Sequence, residues 1–248
     1  GISVVCGANG TGKSTILRAI HYGLRRSRDL DSRFGQPKIT TTLEIKKEIF
    51  SIEFDYSQPE KSDLKDDRVS VDIIDPSKSA LFLVDYFLSE KNLDEWKESV
   101  SPIEFSGKEL ATISQLVGKK YDSLRIYELD DITDDKKGVR EIPLPYFEVV
   151  VNGREYSTPT MGMGELVLLY TYWKLQSVDD NSIILLEEPD TYVSYSSQEE
   201  LFNVLAKFSD EKNLWVILTT HSTAIASKVD TQHMTLLYNL SGEPFFVQ

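Results

Sequence analysis

Gly7-Ala-Asn-Gly-Thr-Gly12-Lys13-Ser14-Thr15 stands directly behind the apolar run Ile2-Ser-Val-Val-Cys6 and directly ahead of Ile16-Leu17-Arg18-Ala19-Ile20. The first eight of these residues, Gly7 to Ser14, fit the pattern G-x-x-x-x-G-K-[ST], a loop built to cradle phosphate. Its glycines allow a tight turn in which successive backbone N–H groups point inward at anionic oxygens. A helix opening at Lys13 adds its positive end to the same spot. The expected phosphate set is therefore Asn9, Gly10, Thr11, Gly12, Lys13, Ser14 and Thr15. Lys13 is expected to reach the β- and γ-phosphates, and the Ser14 hydroxyl to ligate Mg²⁺. An incidental glycine turn is the alternative, and the strand before and helix after the loop weigh against it.

Working outward, residues 2–6 read as a buried strand and the segment Lys13–Arg25 as a helix. Residues 40–45 and 49–56 read as an antiparallel pair, 57–67 as an exposed loop and 68–74 as a further strand. Helices are expected over 79–89 and 109–117, and a strand over 123–128. Residues 146–151 and 154–156 flank Asn152-Gly153, a hairpin signal because both residues accept positive φ. The last third alternates a helix (165–175), an apolar strand (183–186), a helix (198–208), an apolar strand (214–218) and a short helix after His221, with strands near 234–238 and 245–247. Apolar strands alternating with helices predict an α/β fold with a mostly parallel sheet core covered by helices. One domain over 1–248 is expected, divided into 1–28, an antiparallel and helical lobe over 39–160, and a core over 161–248. No fixed-period repeat and no heptad run is present.

Two further strand ends carry chemistry. In Ser182-Ile-Ile-Leu-Leu-Glu187-Glu188-Pro189-Asp190, acids arrive at the carboxyl end of a buried strand, where parallel sheets place their ligands. Glu187 is expected to hold Mg²⁺, and Glu188 to polarise an attacking water as general base. Adjacent carboxylates repel, so a cation is expected near one of them, or one is protonated or turned away. In Trp215-Val-Ile-Leu-Thr219-Thr220-His221-Ser222, a second apolar strand delivers a histidine that can donate to a γ-phosphate oxygen or accept from the water.

These three segments, in this order, resemble the ATP-binding-cassette ATPases. That resemblance implies an ATP- and Mg²⁺-dependent ATPase whose heads close in pairs, with catalytic residues Glu188 and His221. It also implies a signature segment supplied by the opposite head. Met161-Gly162-Met163-Gly164-Glu165 looks like a divergent signature, with Gly162 where transporters usually carry serine. The backbone N–H groups of Gly162, Met163 and Gly164 at a helix start can still form an anion site, with Glu165 next to them. The signature, and Glu187 where transporters usually carry aspartate, look more like the overcoming-lysogenization-defect and RecF-like ATPases. Within that group, the segments Val117-Gly-Lys-Lys-Tyr121, Met-Gly-Met-Gly-Glu and Glu-Glu-Pro-Asp, with Asn213-Leu-Trp-Val-Ile-Leu-Thr-Thr-His-Ser, are similar to the ATPases of Septu-type and retron-associated phage defence. This implies a cytoplasmic ATPase that assembles with itself and controls a nuclease effector. Gln36 and Gln115 are both candidates for the family's glutamine loop.

Bulk properties narrow the field. The chain has 248 residues and a net charge of −13, from 27 Lys+Arg against 40 Asp+Glu. Such a surface repels a polyanion, so nucleic-acid contact is expected to be local or indirect. The basic cluster Arg18, Arg25, Arg26, Arg28 and Arg33 is the one candidate for it, a solvated helix end being the plainer reading. The apolar stretch over 166–172 is too short to span a bilayer, and no membrane partner is expected. The single cysteine, Cys6, excludes an intrachain disulfide framework and reads as a core residue. Opening inside a strand, the chain is expected to continue upstream of Gly1. Glu128, Asp130, Asp131, Asp134 and Asp135 are acidic enough to suggest a metal-dependent nuclease, but lysines share their loop and no histidine is near. An ATP-sensing scaffold with little turnover, a transporter subunit and a RecF- or SMC-like repair head remain as alternatives. The first keeps Glu188 and His221 without explanation, and the second lacks its serine-containing signature. The SMC form carries a coiled coil between phosphate loop and signature that this sequence lacks.

Overall fold

The computed structural model describes residues 1–25, 38–45, 47–55, 57, 70–129, 143–240 and 243–247. Gln36, Arg26, Arg28, Arg33, the acids Asp130, Asp131, Asp134 and Asp135, and most of the expected loop over 57–67 lie outside them. The chain divides into two compact units. The first comprises Gly1–Ile74, Val178–Glu187 and Ala206–Gln248, and the second Asp75–Ser177 and Glu188–Leu205.

The first unit is built on a six-stranded sheet. Its strands are β1 (Ile2–Gly7), β4 (Val71–Ile74), β9 (Ile183–Glu187), β10 (Trp215–Thr220), β11 (Met234–Leu240) and β12 (Glu243–Val247). They lie in the order β12-β11-β1-β10-β9-β4. All neighbours are parallel except β12, which returns antiparallel on β11. The parallel strands are short and apolar because they are buried on both faces. Helix α1 (Lys13–Arg25) turns Leu17 and Leu24 into the core at helical spacing, where they join Val5, Leu185 and Ile217. Burying each such side chain contributes about 1.5–3 kcal/mol. The hairpin β2 (Lys38–Ile45) and β3 (Glu48–Asp55) pairs antiparallel as expected. Gly23 of α1 lies so close to Thr41 and Ile39 of β2 that any Cβ would collide with both.

Asn181 (φ 61°) and Asn213 (φ 52°) occupy the turns ahead of β9 and β10. Asparagine tolerates this left-handed backbone. The Asn213 amide donates to Asn181 Oδ1 at 2.7 Å, which ties the starts of the two strands together.

The second unit combines helices with a four-stranded antiparallel sheet. The helices are α2 (Pro76–Ser89), α3 (Leu93–Ser99), α4 (Gly107–Val117), α5 (Met163–Ser177) and the start of α6 (Tyr195–Glu211). The strands are β5 (Ile103–Phe105), β6 (Ser123–Leu129), β7 (Leu144–Val151) and β8 (Arg154–Ser157), in the order β5-β6-β7-β8. Asp75 caps α2 by accepting from the Lys78 N–H, and Pro76 fills the first turn, where its missing donor costs nothing. Asn152 (φ 51°) and Gly153 (φ 72°) make the hairpin turn that the sequence signals. Helix α5 is buried on every side from Glu165 to Leu175 apart from Tyr170 and Lys174, and is the central helix of this unit. In the first unit a final short helix, α7 (Thr223–Ala226), opens just after His221 with Ser222 as its cap.

The fold class is thus α/β: a largely parallel sheet with antiparallel sheets and helices, as the sequence predicts.

Candidate nucleotide site

Gly7 closes β1 with φ 155°, and a Cβ there would lie 2.5 Å from the Leu237 carbonyl oxygen and 2.8 Å from Thr11 Oγ1. Only glycine fits. Gly10 (φ 78°) and Gly12 (φ 96°) turn the loop through backbone that other residues resist. The Thr11 hydroxyl donates to Ala8 O at 2.9 Å, which braces the loop from inside. Helix α1 then starts with the Ile16 N–H donating to Gly12 O at 3.0 Å. Asn9 and Gly10 are exposed at the tip, Ser14 and Thr15 stand on the first helical turn, and Lys13 is buried.

The Lys13 ammonium is folded back over the loop. It donates to Gly7 O at 3.1 Å and Ala8 O at 3.3 Å, and its Nζ lies 2.8 Å from His221 Nε2. An ammonium has no acceptor, so Nε2 accepts and the imidazole proton sits on Nδ1. The two motifs meet because β10 lies between β1 and β9. Val5 pairs with Thr219, and Thr219 with Glu187, so the ends of the three strands are level. Glu187 ends β9 and faces Arg18, its carboxylate 3.8 Å from the guanidinium. Arg18 is the cation the paired acids call for. It comes from the helical turn after Ser14, on the same face at i,i+4 spacing, a relation visible in the sequence but not drawn from it. The structure thus turns one member of the expected basic cluster toward an acid; Arg25 is exposed at the helix end.

These residues fit a nucleoside triphosphate with Mg²⁺. The glycine cradle leaves no space for a Cβ at Gly7, and the Ser14 hydroxyl and Glu187 carboxylate are hard oxygen donors. Among the described residues no group of three or more His, Cys, Asp or Glu side chains gathers as a metal cage. Mg²⁺ commonly takes one or two protein oxygens and fills its shell with phosphate and water.

Glu188, in the second unit, holds φ 41°, rare for a residue other than glycine. The turn it begins is closed by Thr191 N–H to Glu188 O and Val193 N–H to Asp190 O, both 3.1 Å. Tyr192 in the same turn has φ 67°. Two strained residues within one turn are characteristic of functional loops. The Gln198 side chain steadies it by donating to Val193 O at 2.9 Å.

In the candidate signature, Gly162 is exposed and Met163 opens α5. A Cβ on Gly164 would collide with the Tyr192 carbonyl. The Glu165 carboxylate is turned inward, accepting from Tyr121 Oη at 2.6 Å and Tyr156 Oη at 2.7 Å and pairing with Lys119 at 2.5 Å. Sequence reasoning did not foresee this pocket, whose residues come from three separate segments.

Gln115 donates to Glu200 at 3.0 Å on the surface of the second unit. Glu128 accepts from the Trp173 indole at 2.7 Å, which gives this acid a structural partner. Cys6 is half-buried in β1. Among the described residues no helix is long and apolar enough to cross a membrane.

Residues 1–215 match the family described as the AAA domain. No curated protein matches the sequence. Among solved structures, the SMC head domain from Thermotoga maritima is similar over 99% of this chain and 89% of its own, with 14% identity and a TM-score of 0.55. The SMC head bound to the C-winged helix domain of ScpA is similar over 98% and 88%, with 14% identity and a TM-score of 0.57. An SMC head with an extended coiled coil, bound to the C-terminal domain of ScpA from Pyrococcus furiosus, covers 98% and 89% at 13% identity and a TM-score of 0.56. At these identities the likeness is one of fold.

Proposed function

The chain belongs to the AAA domain family, and on that premise we propose that it is an ATP-hydrolysing head that pairs with a second copy around ATP. The supporting observation is the meeting of Lys13 with His221, level with the Arg18-paired Glu187 at one sheet edge. In this reading the loop over residues 7–15 holds the phosphates, and Lys13 exchanges its carbonyl contacts for β- and γ-phosphate oxygens. Ser14 and Glu187 would hold Mg²⁺, which would supply positive charge beside the phosphates. Glu188 takes the proton of the attacking water, and His221 bonds the γ-phosphate or that water. The backbone of Gly162, Met163 and Gly164 of the second copy completes the site, with Glu165 behind it turned inward.

We further propose that the ATP cycle governs a nuclease effector in anti-phage defence, from a cytoplasmic location. The resemblance of residues 117–121, the Met-Gly-Met-Gly-Glu and Glu-Glu-Pro-Asp segments and residues 213–222 to Septu-type and retron-associated ATPases supports this. So does a head of the same fold solved with a domain of a protein partner, ScpA, bound to it. A RecF- or SMC-like repair head is the second reading, favoured by the fold likeness alone. The longest described helix, α6, has 17 residues, well short of a coiled-coil arm.

The test is the size of the full-length Glu188→Gln protein by light scattering, with and without ATP-Mg²⁺, then the nuclease activity of its genomic neighbour in its presence. Pairing on ATP and a change in nuclease rate support the reading. A chain that stays monomeric with ATP bound contradicts it.

A further inference from the structure

The first turn of α5 is fixed at two points within the second unit. Gly164 lies flush against the Tyr192 carbonyl, where any side chain would collide. One residue on, Glu165 is 6% exposed, and its carboxylate is fully engaged by Tyr121, Tyr156 and Lys119. These partners come from the segment after α4 and from β8. Lys119 lies over the Tyr156 ring as well, 5.4 Å from its centroid. The hydrogen bonds from α5 to Glu109 and Glu128 come from Tyr172, Trp173 and Gln176 in its later turns, whereas Leu166, Val167, Leu168 and Leu169 near its start are held by apolar burial, which leaves rotation and sliding of the first turn soft. A directional pin at Glu165 removes that freedom, and the turn it pins ends in exposed Gly162.

We propose that Glu165 is a positioning residue: held by Lys119, Tyr121 and Tyr156, it sets the backbone of Gly162 and Met163 in place for the γ-phosphate of ATP bound by a second copy. This rests on the paired-head reading above. The carboxylate itself stays internal and touches no nucleotide. The surroundings agree with a fixed, occupied pocket. Burial first, then the bond to Glu165, pushes the Tyr121 hydroxyl well above the usual tyrosine range and raises that of Tyr156 as well, which keeps both as donors. Burial acts to lower the Lys119 ammonium, but the Glu165 bond and charge outweigh it and raise it.

Three readouts on the full-length protein test this with Glu165→Ala and Glu165→Gln: hydrogen exchange over residues 161–169, ATP affinity and ATP turnover. In Glu165→Ala, the amides of residues 166–168 are expected to exchange at least about tenfold faster while the rest of α5 keeps its protection. ATP affinity stays within about twofold, because the phosphate loop is untouched, while turnover falls at least about tenfold. Glu165→Gln recovers turnover to within about threefold, since its amide oxygen still accepts from both tyrosines and only the half-exposed Lys119 pairing is lost. Unchanged exchange and turnover in Glu165→Ala would overturn the proposal. Equal loss of ATP binding and of global protection in both variants would overturn it too, as a plain folding role. Failure of the paired-head reading looks different: the parent protein shows no ATP-driven pairing, while the local exchange contrast persists.

Discussion

Lys13 Nζ and His221 Nε2 stand 2.8 Å apart, although 208 residues separate them in sequence. The contact joins the phosphate loop to the end of the neighbouring strand and makes one site of two motifs. It has separable consequences. Lys13→Ala is expected to weaken ATP binding more than about tenfold, because a charge-assisted bond to phosphate is lost. His221→Ala leaves affinity within about threefold but lowers turnover by about 10²-fold or more, the usual range for a group acting on the reacting atoms. Isothermal titration and phosphate-release rates on the two variants check this; equal effects on affinity would sink the division of labour.

Gly7→Ala makes a sharper structural prediction. The added methyl would meet the Leu237 carbonyl and the Thr11 hydroxyl at 2.5 and 2.8 Å. Relief requires β1 and β11 to part or the loop to open, at a cost of about 1–3 kcal/mol. Nucleotide binding should fall with it. A variant with parental melting temperature and ATP affinity would contradict the cradle geometry.

His21 gives a pH signature. Its half-buried imidazole is held down to about 4, chiefly by burial, then by the Arg25 charge, with Asp72 acting in the opposite sense. The unfolded chain, at the ordinary value near 6.5, therefore takes up the proton first as pH falls. The contribution to stability is complete above pH 6.5 and is lost between there and pH 4. With partial solvent screening, that loss is about 2 kcal/mol. His21→Gln should remove that share of the acid sensitivity, read as the difference in urea midpoints at pH 7 and 4.5. An identical pH dependence in the variant would refute the assignment.

Much of this was legible in the sequence, and the boundary between what was and was not follows range. Strands carrying chemistry announce themselves as apolar runs ending in Gly7, Glu187 and His221, since buried parallel strands need both faces apolar. The Asn152-Gly153 turn and the helix behind the phosphate loop are equally local. Helix α3 gave no periodic signal because none of its residues is buried, and β5 is only three residues long. The pairing of β4 with β9, the approach of Arg18 to Glu187 and the pocket around Glu165 are contacts between distant segments. No local pattern encodes such partners. Arg18 alone had a local clue, one helical turn from Ser14. The pocket also changes how the signature is read: Glu165 looked like a group presented to a partner, yet its carboxylate is internal.

The most direct test of the central claim is ATP turnover beside ATP binding in Glu188→Gln, with Lys13→Ala as reference. If Glu188 is the base of the proposed reaction, its replacement should lower turnover by about 10²-fold or more with ATP affinity retained, whereas Lys13→Ala should lose binding itself. Parental turnover in Glu188→Gln, or equal loss of ATP binding in both variants, would contradict an ATP-hydrolysing head built on Lys13, Glu187, Glu188 and His221.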